Sequence, residues 1–245
     1  MITMTAKNKD KNISENMEKW EFNEDVSEVF DEMLERSIPS YNRMRYLITQ
    51  ITVNHIQKNT LMHTNILDLG CSTGEQIKKL NNYLRTNKFY GLECSKPMVR
   101  EARKKCQKEP NITIYTTDIT KEKFPVKNCG AILSILTLQF IPIEYRQKII
   151  TEIYNNLNPQ GIFIFVEKII GDNYNYSELY EKLYYDMKQY NGYSLEEIRD
   201  KKLKLEGVLV PGTNKFNIDL LKQAGFTKID IFWKDLNFIG YIAMK

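Results

Sequence analysis

The residues with the clearest chemical pattern are a carboxylate and two glycines in the stretch ILDLGCSTG, positions 66–74. An apolar run leads into Asp68, and Gly70 and Gly74 then punctuate a bend of small residues. Glycine tolerates positive φ in a tight turn and lets a ligand approach the backbone closely. The spacing is D-x-G-x-x-x-G rather than G-x-G-x-x-G, so a grip on the pyrophosphate of a dinucleotide is disfavoured. The pattern predicts a ligand-binding turn.

Two further acids stand where later strands are expected to end. Glu93, in YGLECS, follows the turn by about 20 residues, where a carboxylate can accept both hydroxyls of a ribose. Asp118, in TTDIT, can accept the adenine amino proton, while Ile119 packs on the ring. Phosphates would instead call for lysine or a helix N-terminus. Because its methionine part carries an ammonium and a sulfonium, S-adenosylmethionine (SAM) is the cofactor that these acids predict.

An alternation of strands and helices must position these acids. Apolar, strand-like runs recur along the first two thirds of the chain, at 65–69, 89–92, 112–115, 131–136 and 161–166. Charged helical segments lie between several of them, which predicts a mostly parallel sheet covered on both faces. The short link between 228–233 and 237–244 requires antiparallel pairing. We expect a Rossmann-like α/β fold with a mostly parallel seven-stranded sheet, an antiparallel last strand and a small helical cap insertion.

The chain is expected to contain a tail, one domain and an insertion within it. Residues 1–17 are polar and unpatterned, which predicts a disordered tail, and 18–245 form a single SAM-binding domain. A Tyr-rich helix and a charged helix interrupt the alternation within about 171–212. Three roles stay open for this cap: core packing, a substrate lid, or a dimer surface.

Composition narrows the class of protein. Hydrophobic residues make up 42%, charged residues 27%, and the formal net charge of +4 is too balanced to indicate nucleic acid by itself. The four cysteines form no CxxC pair, which favours free thiols in a reducing compartment over disulfides or a metal site. No apolar run approaches the ~18 residues of a membrane span, and the N-terminus lacks a signal-peptide core. We therefore expect a cytoplasmic protein with no metal, no membrane partner and no nucleic-acid partner.

With these motifs in place, the sequence resembles the class I SAM-dependent methyltransferases from about residue 20 onwards. LDLGCSTG, which includes Cys71 and Ser72, is similar to their first motif, and LNPQG (157–161) to the turn before their strand five. LLKQAGF (220–226) is similar to their last helix. Among them it most resembles the carboxy-S-adenosylmethionine synthases, through FNEDVSEVFDEMLERSIPSY (22–41), TLQF (137–140), EK (167–168), NGYSLEEI (191–198) and LEGVL (205–209).

That closer resemblance implies a reaction and an assembly. Members of the family are homodimers of a tRNA wobble-uridine modification pathway. They convert SAM and prephenate into carboxy-SAM through a sulfonium ylide that captures released carbon dioxide. The resemblance also implies that Tyr41 contacts the ligand.

Several positions depart from that family's pattern. Its ribose-binding Asp is Glu93 here, the Asn after it is Cys94, and a polar Asn of strand four is Ile135. The arginine that holds the extra carboxylate corresponds to Lys202, and a lysine is a point charge where arginine offers a bidentate fork. Arg199, one helical turn earlier, can substitute, or both can be exposed helix charges.

These departures favour methyl transfer from SAM to a small-molecule acceptor. Carboxy-SAM synthesis is the alternative, and a non-catalytic SAM-binding protein is the second alternative. Nucleic-acid methylation ranks below them, because no Pro-Pro-Tyr-type motif and no basic stripe with interleaved aromatics is present. The sulfonium is already activated, so the protein must mainly orient it and exclude water.

Candidate catalytic residues are those expected at the carboxyl edge of the sheet, namely Tyr41, Tyr193, Arg199 and Lys202. Glu167 and Lys168 are expected beside them. Gln139 and Phe140 either face the methyl group or start the following helix. His55 and His63 precede the first strand, so we assign them to the surface or to packing.

Overall fold

The computed structural model describes residues 18–245, so the tail predicted for 1–17 lies outside the described residues. Helices α1 and α2 (Glu24–Ser37 and Tyr41–Lys58) precede the first strand. The remaining elements are β1 Asn65–Leu69, α3 Glu75–Asn81, β2 Lys88–Glu93, α4 Lys96–Cys106, β3 Ile112–Thr116, β4 Cys129–Ile135, α5 Ile143–Asn156, β5 Leu157–Ile170, α6 Tyr174–Tyr190, α7 Leu195–Leu205, β6 Gly212–Thr213, α8 Asn214–Gln223, β7 Lys228–Asp235 and β8 Phe238–Met244.

The strands form one mixed sheet in the order β3-β2-β1-β4-β5-β8-β7. Strand β1 pairs in parallel with both β2 and β4, and β4 pairs in parallel with β5. Strand β8 runs antiparallel to β5 and β7. This confirms the mostly parallel α/β fold with its antiparallel end. The two-residue β6 pairs with β5 and adds an eighth strand to the seven predicted.

Strand five begins earlier than the sequence predicts. The stretch LNPQG, expected as the turn before it, lies within the bounds of β5, which begins at Leu157. The turn survives as a local irregularity: Gln160 has a φ of 68°, and the pairing register with β4 shifts between Cys129 and Ala131. Gly161 then leads into the regular part of the strand.

Apolar side chains pack on both faces of the sheet. Successive residues of a strand point to opposite faces, so Ile66 and Leu67 belong to two separate clusters. Ile66 packs with Met44 and Ile48 of α2, and all three are fully buried. The other cluster covers the opposite face with residues of α5 and α8. Burial of each such side chain contributes about 1.5–3 kcal/mol, which makes the sheet a rigid base for its loops.

The break predicted at Pro39 places Tyr41 at a helix start. Helix α1 ends at Ser37, and Ser40 adopts a left-handed φ of 45° before α2 begins at Tyr41. The side chain of Asn23 caps α1 by accepting a hydrogen bond from Val26 N at 3.1 Å. The two helices therefore meet at a sharp bend, and Tyr41 is buried there.

The cap helices α6 and α7 lie between β5 and β6. On α6, Tyr184 is buried, whereas Leu179, Leu183 and Tyr190, which form an apolar stripe beside it, are exposed. The apolar stripe of α6 is thus largely uncovered in this chain, rather than packed as core. Within residues 18–245, no helix is both long enough and apolar enough to cross a membrane.

Candidate active site

A cavity of about 400 Å³ lies at the carboxyl ends of the parallel strands, beside α1 and α2. It sits where β1 has β2 on one side and β4 on the other, which is the switch point at which such sheets bind ligands. Ten of the predicted ligand-binding residues line it, namely Tyr41, Asp68, Gly70, Cys71, Ser72, Glu93, Cys94, Asp118, Ile119 and Ile135. The structure therefore brings together residues from five separate stretches of sequence.

Gly70 forms the floor of the turn after β1. Its φ is +69°, and a Cβ at this position would lie 2.4 Å from the Thr137 side-chain oxygen. That hydroxyl donates to the Leu69 carbonyl at 2.9 Å and ties the turn to the loop after β4. Gly74, with a φ of +75°, lies outside the cavity lining and lets α3 start close to Ala102 of α4. The first glycine therefore shapes the cavity, and the second packs the helix behind it.

Glu93 links the glycine turn to the start of α4. It is buried, and its carboxylate accepts hydrogen bonds from Ser72 N at 3.1 Å and from Ser95 N at 2.8 Å. Burial raises its pKa, and these backbone donors oppose that rise. A carboxylate can accept several hydrogen bonds, so ribose hydroxyls can still be accommodated. The residue therefore organises the turn besides facing the cavity.

The other two acids differ in their surroundings. Asp68 is buried, and burial raises its pKa to about 7, with Arg45 opposing the shift and Glu93 adding to it. A cationic ligand beside it would favour its charged form. Asp118 is half-buried, and the hydrogen bond from Lys121 at 2.8 Å, together with Thr120, lowers its pKa. The cavity thus offers one largely desolvated acid and one that stays ionised.

Comparison with known proteins assigns the family. The methyltransferase domain family matches residues 66–161. The carboxy-S-adenosyl-L-methionine synthase of Staphylococcus epidermidis is 38% identical over 92% of this chain and 97% of its own length. The enzyme of the same name from Methylococcus capsulatus is 34% identical, with 91% of this chain and 93% of its own covered.

This chain belongs to the carboxy-S-adenosyl-L-methionine synthase family. Solved structures show the same fold. The plantazolicin methyltransferase BpumL, in complex with a desmethylPZN analog and SAH, aligns with a TM-score of 0.66 at 15% identity, over 90% of this chain and 91% of that one. Human N-acetylserotonin methyltransferase in complex with SAM aligns with a TM-score of 0.59 at 15% identity, over 90% of this chain and 55% of that one.

These findings confirm the predicted class of enzyme. The chain is a SAM-dependent transferase that acts on a small molecule, and SAM is its cofactor or substrate. The cavity fits SAM, because the buried carboxylates of Asp68 and Glu93 line it and would face the hydroxyls and cationic groups of such a ligand. Bound SAM supplies an activated sulfonium methyl group.

The cap places its cationic residues differently from the family register. Lys202 and Arg199 are exposed and do not line the cavity, and Lys202 Nζ lies 2.7 Å from Glu181 Oε1. Tyr193 is buried behind the cavity, with its hydroxyl 3.1 Å from Ser37 Oγ. The residue of α7 that does line the cavity is Lys201. Neighbouring residues on a helix point about 100° apart, so Lys201 can face the cavity while the next residue, Lys202, faces solvent.

Three lysines, Lys168, Lys188 and Lys201, form a group that we call the lysine cluster. Lys168 and Lys201 line the cavity, and Lys188 is buried next to them. Their ammonium groups lie over aromatic rings: Lys201 is 4.8 Å from the Trp20 ring centre, and Lys168 and Lys188 are 4.9 and 5.1 Å from that of Tyr184. Burial lowers the pKa of Lys188 and Lys201 to about 7.

Two residues of the loop after β4 line the cavity, and for both of them the sequence left open a position near the methyl group or at the start of the following helix. Gln139 and Phe140 lie in a single 3-10 turn, Leu138–Phe140, rather than at the start of α5. The buried Glu167 holds that turn by accepting a hydrogen bond from Leu138 N at 3.0 Å, and burial raises its pKa to about 8. Glu167 itself does not line the cavity.

The two histidines lie away from the cavity. His55 and His63 do not line the cavity, and His55 Nε2 lies 2.7 Å from the Gln160 carbonyl oxygen. Across residues 18–245, no group of three or more His, Cys, Asp or Glu side chains is arranged to hold a metal ion.

Sequence reasoning missed Arg45 and Lys201, which line the cavity, and Lys188, which is buried beside it. Arg45 lies one helical turn after Tyr41, which is a usable spacing signal because residues four apart share a helix face. Lys201 carried no such signal, since α7 has basic residues on several sides.

Proposed function

We propose that this chain converts SAM into carboxy-SAM, using a second, anionic substrate as the source of the carboxyl group. The observation that carries the proposal is the lysine cluster at the cavity. Within the described chain, no carboxylate lies within 4 Å of the ammonium group of Lys168, Lys188 or Lys201. Relatives that span the chain and are named for this reaction support it.

The physical argument concerns buried charge. Placing a cation away from water without a counter-ion is unfavourable, and the lowered pKa values of Lys188 and Lys201 express that penalty. A carboxylate-bearing substrate would relieve it by pairing with the ammonium groups. Methyl transfer to a neutral acceptor would leave the charges unpaired, so the cluster favours an anion.

The position of Lys202 bears on the choice between carboxyl transfer and methyl transfer. Its replacement of the family arginine argues against carboxyl transfer only if Lys202 faces the ligand, but Lys202 pairs with Glu181 at the surface of this chain. Lys201, the next residue inward, supplies a cation at the cavity instead. The arginine-to-lysine departure therefore does not leave the cavity without positive charge.

For the bound cofactor we propose the orientation that the strand ends suggest. Glu93 accepts from the ribose, Asp118 and Ile119 contact the adenine, and Asp68 faces the methionine part. Tyr41 contacts the ligand near the sulfonium. The remaining lining residues of the predicted set, Gly70, Cys71, Ser72, Cys94 and Ile135, form the wall of the cavity.

Plain methyl transfer is the second candidate, and one observation favours it. Ile135 lines the cavity where relatives are expected to have a polar residue, so the reacting centre has one polar partner fewer. A small acceptor that carries its own nucleophile would need no such partner.

The test is mass spectrometry of the ligand extracted from freshly purified protein, followed by incubation with SAM and prephenate. Carboxy-SAM in the extract, or its formation with prephenate, is the expected result. SAM or S-adenosylhomocysteine alone, with no product on adding prephenate, would favour methyl transfer.

A variant pair sharpens this test. Lys201→Met removes a cavity cation at nearly constant volume, and we expect at least a tenfold loss of carboxy-SAM formation, since charge-assisted hydrogen bonds contribute about 1.5–3 kcal/mol. Lys222→Met changes an exposed lysine of α8 and is the matched control. Equal rates for the two variants would contradict a role for the cluster.

We also propose the assembly, boundaries and location that the sequence suggested. The exposed apolar residues of the cap, among them Leu179 and Leu203, suit a homodimer, which light scattering would detect as twice 28.9 kDa. Residues 18–245 act as one domain, with 171–212 as its cap. The four free thiols are in keeping with a cytoplasmic protein.

A further inference from the structure

Arg45 is a buried cation with an unused hydrogen-bond donor at the cavity. Its side chain lines the cavity, and the residue is only 8% exposed. Its Nη2 atom is buried and has no hydrogen-bond partner among the described residues. Buried guanidinium N–H groups seldom lack a hydrogen-bond acceptor in folded proteins, because a charged donor without an acceptor away from water is destabilising. The donor is therefore available to a ligand.

A chain of hydrogen bonds fixes the guanidinium in place. Arg45 Nε donates to Gln76 Oε1 at 3.0 Å, and Gln76 Nε2 donates to Thr49 Oγ1 at 3.1 Å. Thr49 Oγ1 donates in turn to the Arg45 carbonyl at 2.9 Å. All three residues are buried. The orientation of Arg45 is thus set by α2 and α3 without any ligand, so its free edge is preorganised.

The carboxylates of the cavity do not neutralise Arg45. Asp31 and Glu75 both bind Lys105, at 2.7 and 2.9 Å. Asp68 interacts with Arg45 only through space, because within residues 18–245 no carboxylate lies within 4 Å of the guanidinium. A buried cation and a buried anion therefore stand near each other without a direct bond. An α-amino acid group, with its own carboxylate and ammonium, complements such a pair.

We propose that Arg45 binds the α-carboxylate of the methionine part of SAM, with Asp68 beside it receiving the ammonium. This deepens the SAM site and rests on SAM as the ligand, not on carboxyl transfer. The guanidinium and the carboxylate of an amino acid form charge-assisted hydrogen bonds of fixed geometry. Arg45 is then the residue that selects SAM over nucleosides lacking the carboxylate.

The experiment compares SAM with decarboxylated SAM, which keeps the nucleoside, sulfonium and amine but lacks the carboxylate. We expect calorimetry on the full chain to show that the unaltered protein prefers SAM by about 10- to 150-fold, from the usual strength of a charged hydrogen bond. In Arg45→Met, SAM binding should weaken by a similar factor while decarboxylated SAM binds as before or better. The preference for SAM over decarboxylated SAM should therefore be lost in this variant.

Arg43→Met is the matched control, because Arg43 is exposed on the same helix and does not line the cavity. It should retain the preference. If Arg45→Met does not fold, the unaltered protein still decides: equal affinity for the two ligands overturns the proposal. A preference that persists unchanged in a folded Arg45→Met variant overturns it too.

The outcome is separate from that of the carboxyl-transfer proposal, because no carboxyl donor is present in the binding assay. A chain that prefers SAM through Arg45 but forms no carboxy-SAM would contradict only the earlier proposal.

Discussion

Glu93→Gln tests the SAM site at a buried carboxylate that two backbone N–H groups hold in place. The substitution keeps the shape and removes the charge, so it separates electrostatics from packing. In the structure the Glu93 carboxylate already accepts from Ser72 N and Ser95 N, at 3.1 and 2.8 Å. A glutamine has one acceptor oxygen, so its amide would face one of those N–H groups. We therefore expect both the stability of the turn and the affinity for the ribose to fall.

The expected magnitude follows from these contacts. Loss of a charged acceptor for the ribose hydroxyls should weaken SAM binding by about 1–3 kcal/mol, or roughly 5- to 150-fold. The free energy of unfolding of the ligand-free protein should fall by a similar amount, because a backbone N–H loses its partner.

The assay is calorimetry with two ligands, S-adenosylhomocysteine and 5′-methylthioadenosine, which share the ribose but differ in the amino-acid part. Glu93→Gln should weaken both by the same factor, whereas Arg45→Met should weaken only the first. Glu101→Gln, on the same helix α4, is the control, since Glu101 does not line the cavity and forms an ion pair with Lys104 at 3.6 Å. Unchanged affinity of a folded Glu93→Gln variant for both ligands would refute the ribose assignment.

Two further predictions concern stability. Folding raises the pKa of Asp68 from 3.8 to about 7, so the unfolded chain releases this proton first and the free energy of unfolding should fall as pH rises from about 4 to 7. Urea unfolding of the unaltered protein and of Asp68→Asn at pH 5 and 7.5 measures this, and an equal pH dependence in both would contradict it. Gly70→Ala places a Cβ 2.4 Å from Thr137 Oγ1 at a φ of +69°, so it should lower the free energy of unfolding by more than about 1 kcal/mol. A thermal midpoint equal to that of the unaltered protein would show that the turn adapts.

The fold and the nucleoside half of the site could be predicted because both depend on local patterns. Apolar runs mark buried strands, and the carboxyl ends of parallel strands meet at one edge, so Asp68, Glu93 and Asp118 had to lie near one another. The bounds of β5 could not be predicted in the same way. The turn-forming residues at its start are held in the sheet by pairing with β4, which is a long-range contact.

The charged half of the site could not be read from the sequence. Helix α7 carries basic residues at four of seven consecutive positions from 199 to 205, and only its packing against Trp20 and Tyr193 directs Lys201 inward. The spacing of Arg45 from Tyr41 is visible in the sequence, but the orientation of its guanidinium depends on the tertiary contact with Gln76 of α3.

The sequence by itself therefore determined the sheet, the glycine turn and the acids at the strand ends, because each follows from residue type and spacing along one element. Tertiary structure decided which cations face the cavity and which of them lack a partner. That depends on how helices distant in sequence rotate and pack, since a turn of about 100° between neighbouring residues moves a charge from solvent to a buried site.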